Sequence, residues 1–236
     1  MIFSRRSEGE VYTTEKEKEY LFKKTGIEVF QTADKEMEGI LIELLKEFEE
    51  VVLVLGKNHS DLSKIQNLAE EYNIKLDIID VETYHNKLIT YEWLQELFEE
   101  KEFELLTELC GHPYILMGDV VHGKKLGRTV GMPTINLHIY KTKKRPNFGV
   151  YATKVHLGDM CYKAATNVGR RPTVDDDEHV TIETFILDFN QQIYGEICIL
   201  EVYKFLREVQ KFESLEAVQE QVQKDVSRVY ELFEQA

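Results

Sequence analysis

From His122 to Asn136 the chain reads HGKKLGRTVGMPTIN, with Gly123, Gly127 and Gly131 spaced four apart and Pro133, Thr134, Ile135 and Asn136 directly behind them. Glycine lets backbone N–H groups come close to a phosphate, and the threonine and asparagine oxygens can hold a hard cation. The run is not a Walker loop, because Lys124 and Lys125 stand before the second glycine and no Gly-Lys-Ser/Thr closes it. A phosphate cradled here needs another scaffold. Val120 to Gly158 contains no Asp or Glu but carries Lys124, Lys125, Arg128, Lys141, Lys143, Lys144, Arg145 and Lys154. That excess suits a polyanionic ligand, nucleic acid included, and equally a solvated basic face.

Thr134 and Asn136 stand two apart in an extended stretch, so both point to one face and can share a Mg²⁺. Glu183 sits on a predicted strand with Thr181 and Phe185 on its face and no helical pair to explain it. Taken alone it reads as an exposed strand glutamate at least as readily as a general base. Asn167, taken alone, reads as the cap of a turn before Gly169 sooner than as a nucleotide contact, and Arg207 alone reads as a surface arginine.

The elements that must position these residues change character near Gly111. From Tyr12 to Glu108, helical runs at Thr14–Lys24, Asp34–Phe48 and Ser60–Tyr72 alternate with apolar runs at Ile27–Phe30, Val51–Leu55 and Lys75–Asp80. Two short helical stretches follow between Thr90 and Cys110. Such alternation predicts parallel strands in an α/β layer, with Asp34 and Ser60 as N-caps and Gly26 as a helix terminator. Beyond Gly111, six β-rich runs follow: Tyr114–Val121, Thr134–Leu137, Gly149–Leu157, Met160–Val168, Val180–Leu187 and Ile197–Phe205. Gly158 with Asp159, and Tyr194 with Gly195, mark turns, and the spacing predicts a small antiparallel barrel. A last helix, Ser214–Phe233, carries Leu215, Val218, Val222, Val226, Val229 and Phe233 on one face and is expected to flank it.

A length of 236 residues with 43% hydrophobic side chains is enough for one large or two small cores. Cys110, Cys161 and Cys198 have no pairing or zinc-site spacing, which suggests a reducing, cytoplasmic setting. No signal-peptide pattern and no apolar run of spanning length occurs, so no membrane partner is expected. Of the net charge of -14, -13 falls in residues 1–110 and -1 in residues 111–236.

From about Tyr114 to Phe233 the sequence resembles the riboflavin kinase family. The carriers are Gly118, Val120, Gly123, Gly127, Arg128, Gly131, Met132, Pro133, Thr134 and Asn136 of its glycine signature. In order follow Gly149-Val-Tyr151, Asn167-Val-Gly169, Pro172 with Thr173, Ile182-Glu183-Thr184, Asp188 with Phe189, Tyr194 with Gly195, and Leu206 with Arg207. The resemblance implies a six-stranded Greek-key barrel that transfers the γ-phosphate of ATP to riboflavin, giving FMN. It implies Glu183 as the catalytic base and Gly123, Gly127, Arg128, Gly131, Pro133, Thr134 and Asn167 as nucleotide contacts. It further implies Thr134 and Asn136 at magnesium and Arg207 on the flavin side. One departure concerns the flavin loop, where Val209 replaces the family's glutamate and Glu208 lies one place early.

Residues from about Tyr12 to Tyr114 resemble the FMN adenylyltransferase module that precedes the kinase in bifunctional FAD synthetases. The family's H-x-G-H is absent, and its S-S-T-x-I-R block falls on Thr90, Tyr91, Glu92, Trp93, Leu94 and Gln95. A carboxylate replaces the threonine and the arginine is gone, which would weaken stabilisation of an adenylyl transfer state. Residues 1–110 are therefore expected to be an incomplete Rossmann-type α/β remnant, its first strand and helix missing. It would serve packing, self-association or regulation, with 111–236 the kinase barrel. Retained FAD synthesis, and a flavin-sensing or nucleic-acid-binding role supported by Lys141–Arg145, are the alternatives.

Overall fold

The computed structural model describes residues 2–4, 9–27, 29–31, 37–122, 133–171 and 179–234. The first half runs β1 (Ile2–Ser4), α1 (Glu15–Lys24), β2 (Val29–Gln31), α2 (Met37–Glu47), β3 (Val52–Gly56), α3 (Leu62–Glu71) and β4 (Lys75–Ile79). Then come β5 (Thr83–Tyr84), β6 (Lys87–Leu88), α4 (Tyr91–Glu99) and α5 (Phe103–Cys110). The second half holds β7 (Tyr114–Val121), β8 (Thr134–Ile139), β9 (Gly149–Leu157), β10 (Met160–Arg171), β11 (His179–Ile186) and β12 (Ile197–Arg207), closed by the helix α6 (Leu215–Glu234).

The chain forms two compact units that do not divide at residue 110. One contains Met1–Arg6 and Ile27–Trp93; the other contains Ser7–Gly26 and Leu94–Ala236. In the first, β3 and β4 pair in parallel, as the alternating pattern predicts, and Leu41, Leu68, Ala69 and Ile74 pack against Leu53 and Leu76. The cap of α3 differs from expectation: Asp61, not Ser60, holds the N-cap position and makes no side-chain cap bond. Asp34 lies outside the described residues. The β5–β6 hairpin was not predicted, since its turn uses His85 and Asn86 at φ 48° and 65° instead of the usual Asn-Gly.

In the second unit the six strands close in the order β10-β11-β8-β7-β12-β9. All pairs are antiparallel, and β12 returns to lie beside β9, which gives β12-β9-β10-β11 the Greek-key order. Alternation sorts the barrel's side chains into two sets. Ala152 and Ala165 pack under Val229, Val226 and Tyr230 of α6, so their parity marks the outer face. Tyr151, Thr153, Val155, Ala164, Thr166, Val168, Ile182, Thr184 and Ile186 have the opposite parity and fill the interior.

Three threonines are among those interior residues. The Thr166 hydroxyl lies 2.9 Å from those of Thr153 and Thr184, and Thr153 donates to the Ala164 carbonyl at 3.1 Å. This chain ties β9, β10 and β11 together one residue from Asn167 and Glu183. Thr166→Val keeps the shape but leaves two buried hydroxyls short of a partner, at an expected cost of about 1–3 kcal/mol in a denaturant titration. An unchanged midpoint would show the chain to be energetically idle.

The segment before the barrel belongs to its core. Thr14 caps α1 in a capping box: its hydroxyl accepts from the Glu17 amide, and the Thr14 amide donates to Glu17 Oε2 at 2.8 Å. Glu17 is fully buried, its Oε1 accepts from the Met117 amide at 3.0 Å, and Oε2 meets Lys143 Nζ at 2.8 Å. From α4 and α5, the edges of Phe98 and Phe103 pack against Tyr114 and Tyr151 with centroids 4.8 and 5.5 Å apart. A buried charge and an aromatic cluster thus draw residues 9–26 and 94–110 to the barrel.

Candidate active site

Strand register decides which polar residues meet. Glu183 on β11 stands opposite Asn136 on β8 and opposite Asn167 on β10. Asn167 pairs in turn with Val150 on β9, which pairs with Arg207 on β12. Asn136, Glu183, Asn167, Val150 and Arg207 therefore form one row across five strands, on the outer face by the parity of β10. Directly opposed side chains in such a row have Cβ atoms about 4.5–5.5 Å apart. Thr134, two residues before Asn136, shares its face and stands opposite Phe185.

Thr134, Asn136, Asn167 and Glu183 are half-buried, and among the described residues none of their side chains is held by a hydrogen bond. Four uncommitted polar groups on adjacent strands leave their oxygens and amide donors available to a ligand. Gly169 adjoins Asn167, where a Cβ would sit at an ordinary contact distance of 3.4 Å from Nδ2. Gly118 serves a different end. A Cβ at 118 would lie 2.1 Å from the His138 carbonyl oxygen, so this signature glycine lets β7 and β8 approach. Gly123, Gly127, Arg128 and Gly131 lie outside the described residues.

Beside this row, an open cavity of about 330 Å³ is lined by Pro133, Thr134, Phe189, Gln191, Gln192 and Tyr194, among others. The His122 ring stacks on Tyr194 at 3.8 Å. The sequence marked Tyr194 and Gly195 as a turn and as a block of the family resemblance, not as a pocket wall. Two glutamines between Phe189 and Tyr194 are the signal that could have suggested a lined pocket.

Two expectations change. Arg207 is not a free surface arginine: its Nε lies 3.0 and 3.1 Å from the two oxygens of Asp225 on α6, and its Nη2 lies 2.8 Å from Oδ2. Nor is the basic run wholly a solvated face. Lys143 is buried with Glu17, and Lys144 pairs with Glu10 at 3.3 Å and Glu99 at 3.1 Å. These two cations are met by acids of the first half, whose charge the sequence had left unexplained. Glu208 bonds Lys101 Nζ at 2.6 Å, while that lysine also donates to the Phe148 carbonyl at 3.1 Å. Glu208 is thereby tied to the α4–α5 corner.

No helix among the described residues is long and apolar enough to cross a membrane. Burial pushes the Cys198 thiol up to about 12, so it is no ready nucleophile.

Comparison with known proteins gives consistent matches. A bifunctional riboflavin kinase/FMN adenylyltransferase of Listeria monocytogenes is 34% identical over 164 residues, covering 69% of this chain and 52% of that protein. Its counterpart in Bacillus subtilis is 34% identical over 153 residues, covering 64% and 48%. The chain thus spans about half the length of the curated relatives it matches. The crystal structure of a macrolide-efflux protein from Streptococcus pneumoniae is similar with a TM-score of 0.74 at 25% identity, over 92% of this chain and 74% of that one. The flavokinase family, described as riboflavin kinase, matches residues 110–233. That match takes in the whole barrel, its flanking helix and more than half of the chain, and the protein belongs to the riboflavin kinase family.

Proposed function

We propose that the chain transfers the γ-phosphoryl group of ATP to the 5′-hydroxyl of riboflavin, forming FMN and ADP. The observation that carries this reading is the register that sets Glu183 between Asn136 and Asn167 on one outer face, next to Thr134. Phosphoryl transfer needs positioned phosphates, charge neutralisation and a group that orients or deprotonates the attacking hydroxyl. Glu183 is the acceptor for the 5′-hydroxyl proton. Asn167, one strand over, would donate its amide to an oxygen of the nucleotide. Backbone N–H groups of Gly123–Gly131, with Arg128, would cradle the triphosphate, and the cavity at Phe189 and Tyr194 is of a size and polarity for its base.

Thr134 and Asn136 fit a hard cation, since both present neutral oxygens on one face and neither is engaged by a described residue. No cluster of three His, Cys, Asp or Glu side chains able to hold a metal occurs among the described residues, so such a cation would complete its shell with phosphate oxygens. Mg²⁺ bound there would neutralise charge on the transferred group.

FAD formation is not proposed, because these residues contain no H-x-G-H and place Glu92 where the adenylyltransferase block has threonine. The nucleic-acid reading loses its support with Lys143 buried. Three free cysteines fit a reducing cytoplasm. Incubation with riboflavin, ATP and Mg²⁺, with FMN and FAD separated chromatographically, tests the proposal. FMN without FAD is expected; FAD from added FMN would establish the second activity, and neither product would contradict the kinase reading.

A further inference from the structure

We propose that Asp225 on α6 is a positioning residue for the flavin side of the site, acting by fixing the guanidinium of Arg207. The inference rests on the kinase reading above. Arg207 closes the row that contains Glu183, and its side chain is only 14% exposed. Its Nε and Nη2 are held by the Asp225 carboxylate, and Nη1 donates to the Glu208 carbonyl at 3.0 Å. A guanidinium has five N–H groups, so one on each terminal nitrogen is left over among the described residues. Asp225 is 2% exposed and accepts a further bond from Gln221 Nε2 at 3.0 Å, which fixes the carboxylate in turn.

Charge says what those two leftover donors suit. Paired with Asp225, Arg207 carries little net field, so it is a poor anchor for a phosphate and a good one for carbonyl oxygens of a neutral ring. Riboflavin offers such a ring; the triphosphate does not. Packing does not require the pair. The helix is already seated through Val226, Val229, Tyr230 and Phe233, through Arg228 Nη1 on the Leu206 carbonyl, and through Tyr230 on Asp188. A buried ion pair is often replaceable by apolar residues without loss of stability, so its place on the site row points to the ligand.

The test compares Asp225→Asn and Asp225→Ala with the parent in steady-state turnover, varying riboflavin and ATP separately, with a thermal melt as the fold control. Asp225→Asn is isosteric and carries the comparison if the alanine variant does not fold. The riboflavin KM should rise about tenfold while the ATP KM stays within about twofold. In an Arg207→Met background, adding Asp225→Asn should change the riboflavin KM no further. A riboflavin KM unchanged in Asp225→Asn, or a parallel rise in both KM values, overturns the inference alone. A parent that forms no FMN overturns the kinase reading and this inference with it.

Discussion

Glu183→Gln is expected to lower FMN formation by about 10²–10⁴-fold, the range for removal of a positioned general base. Glutamine keeps the size and the hydrogen-bonding oxygen of the side chain but cannot take the hydroxyl proton. Glu183 is half-buried, and no described residue bonds its carboxylate, so folding does not depend on its charge. Its backbone pairs with Asn136 and Asn167 through the strands, and the interior threonine chain beside it is untouched. The loss should therefore fall on kcat, with ATP affinity and the melting temperature at parental values. Turnover equal to the parent would remove Glu183 from the mechanism. A fall in ATP affinity instead would make it a nucleotide contact.

Glu17→Ala is expected to cost about 3–5 kcal/mol of stability, because it leaves Lys143 buried without its counter-charge. Lys143 is enclosed by Glu17, by the Tyr12 carbonyl at 2.5 Å and by the Tyr114 ring at 4.1 Å, with no route to solvent. The amides of Thr14 and Met117 lose their acceptor in the same change. Burial pushes the Lys143 ammonium down to about 8 in spite of the pull from Glu17. Without that pull the folded-state value falls further below the unfolded 10.5. Over the interval between them the unfolded chain binds more protons than the folded one, so stability rises with pH, and in the variant the rise begins at lower pH. The deficit should thus be largest near neutral pH and shrink as pH rises through about 8, above which the folded lysine is neutral in parent and variant alike. Denaturant titrations at several pH values measure this. A neutral-pH loss below about 1 kcal/mol would show the pair to be dispensable.

The barrel was legible because each strand is a period-two run bounded by turn residues, as with Gly158 and Asp159 between β9 and β10. The last helix was legible from its stripe of Leu215, Val218, Val222, Val226, Val229 and Phe233. Burial of Lys143 was not, since a lysine in a basic run has no local mark and its partner lies on α1, far away in sequence. The same holds for Asp225, a polar position on an amphipathic helix whose partner lies on β12. Asn136 was singled out by its spacing from Thr134 and Glu183 by family resemblance, but that they face each other depends on the register of β8 and β11, which no short-range pattern fixes. The unit boundary departed from residue 110 for a related reason: contacts of Glu17, Phe98 and Phe103 with the barrel are tertiary.

The most direct test follows the phosphoryl group itself. The protein is incubated with riboflavin, Mg²⁺ and ATP labelled at the γ-phosphate, and the flavin is separated and counted. Label appearing in FMN at the rate ADP forms, and falling to background with Glu183→Gln, is the expected result; ADP formation without label in any flavin would contradict the assignment of this barrel face to riboflavin phosphorylation.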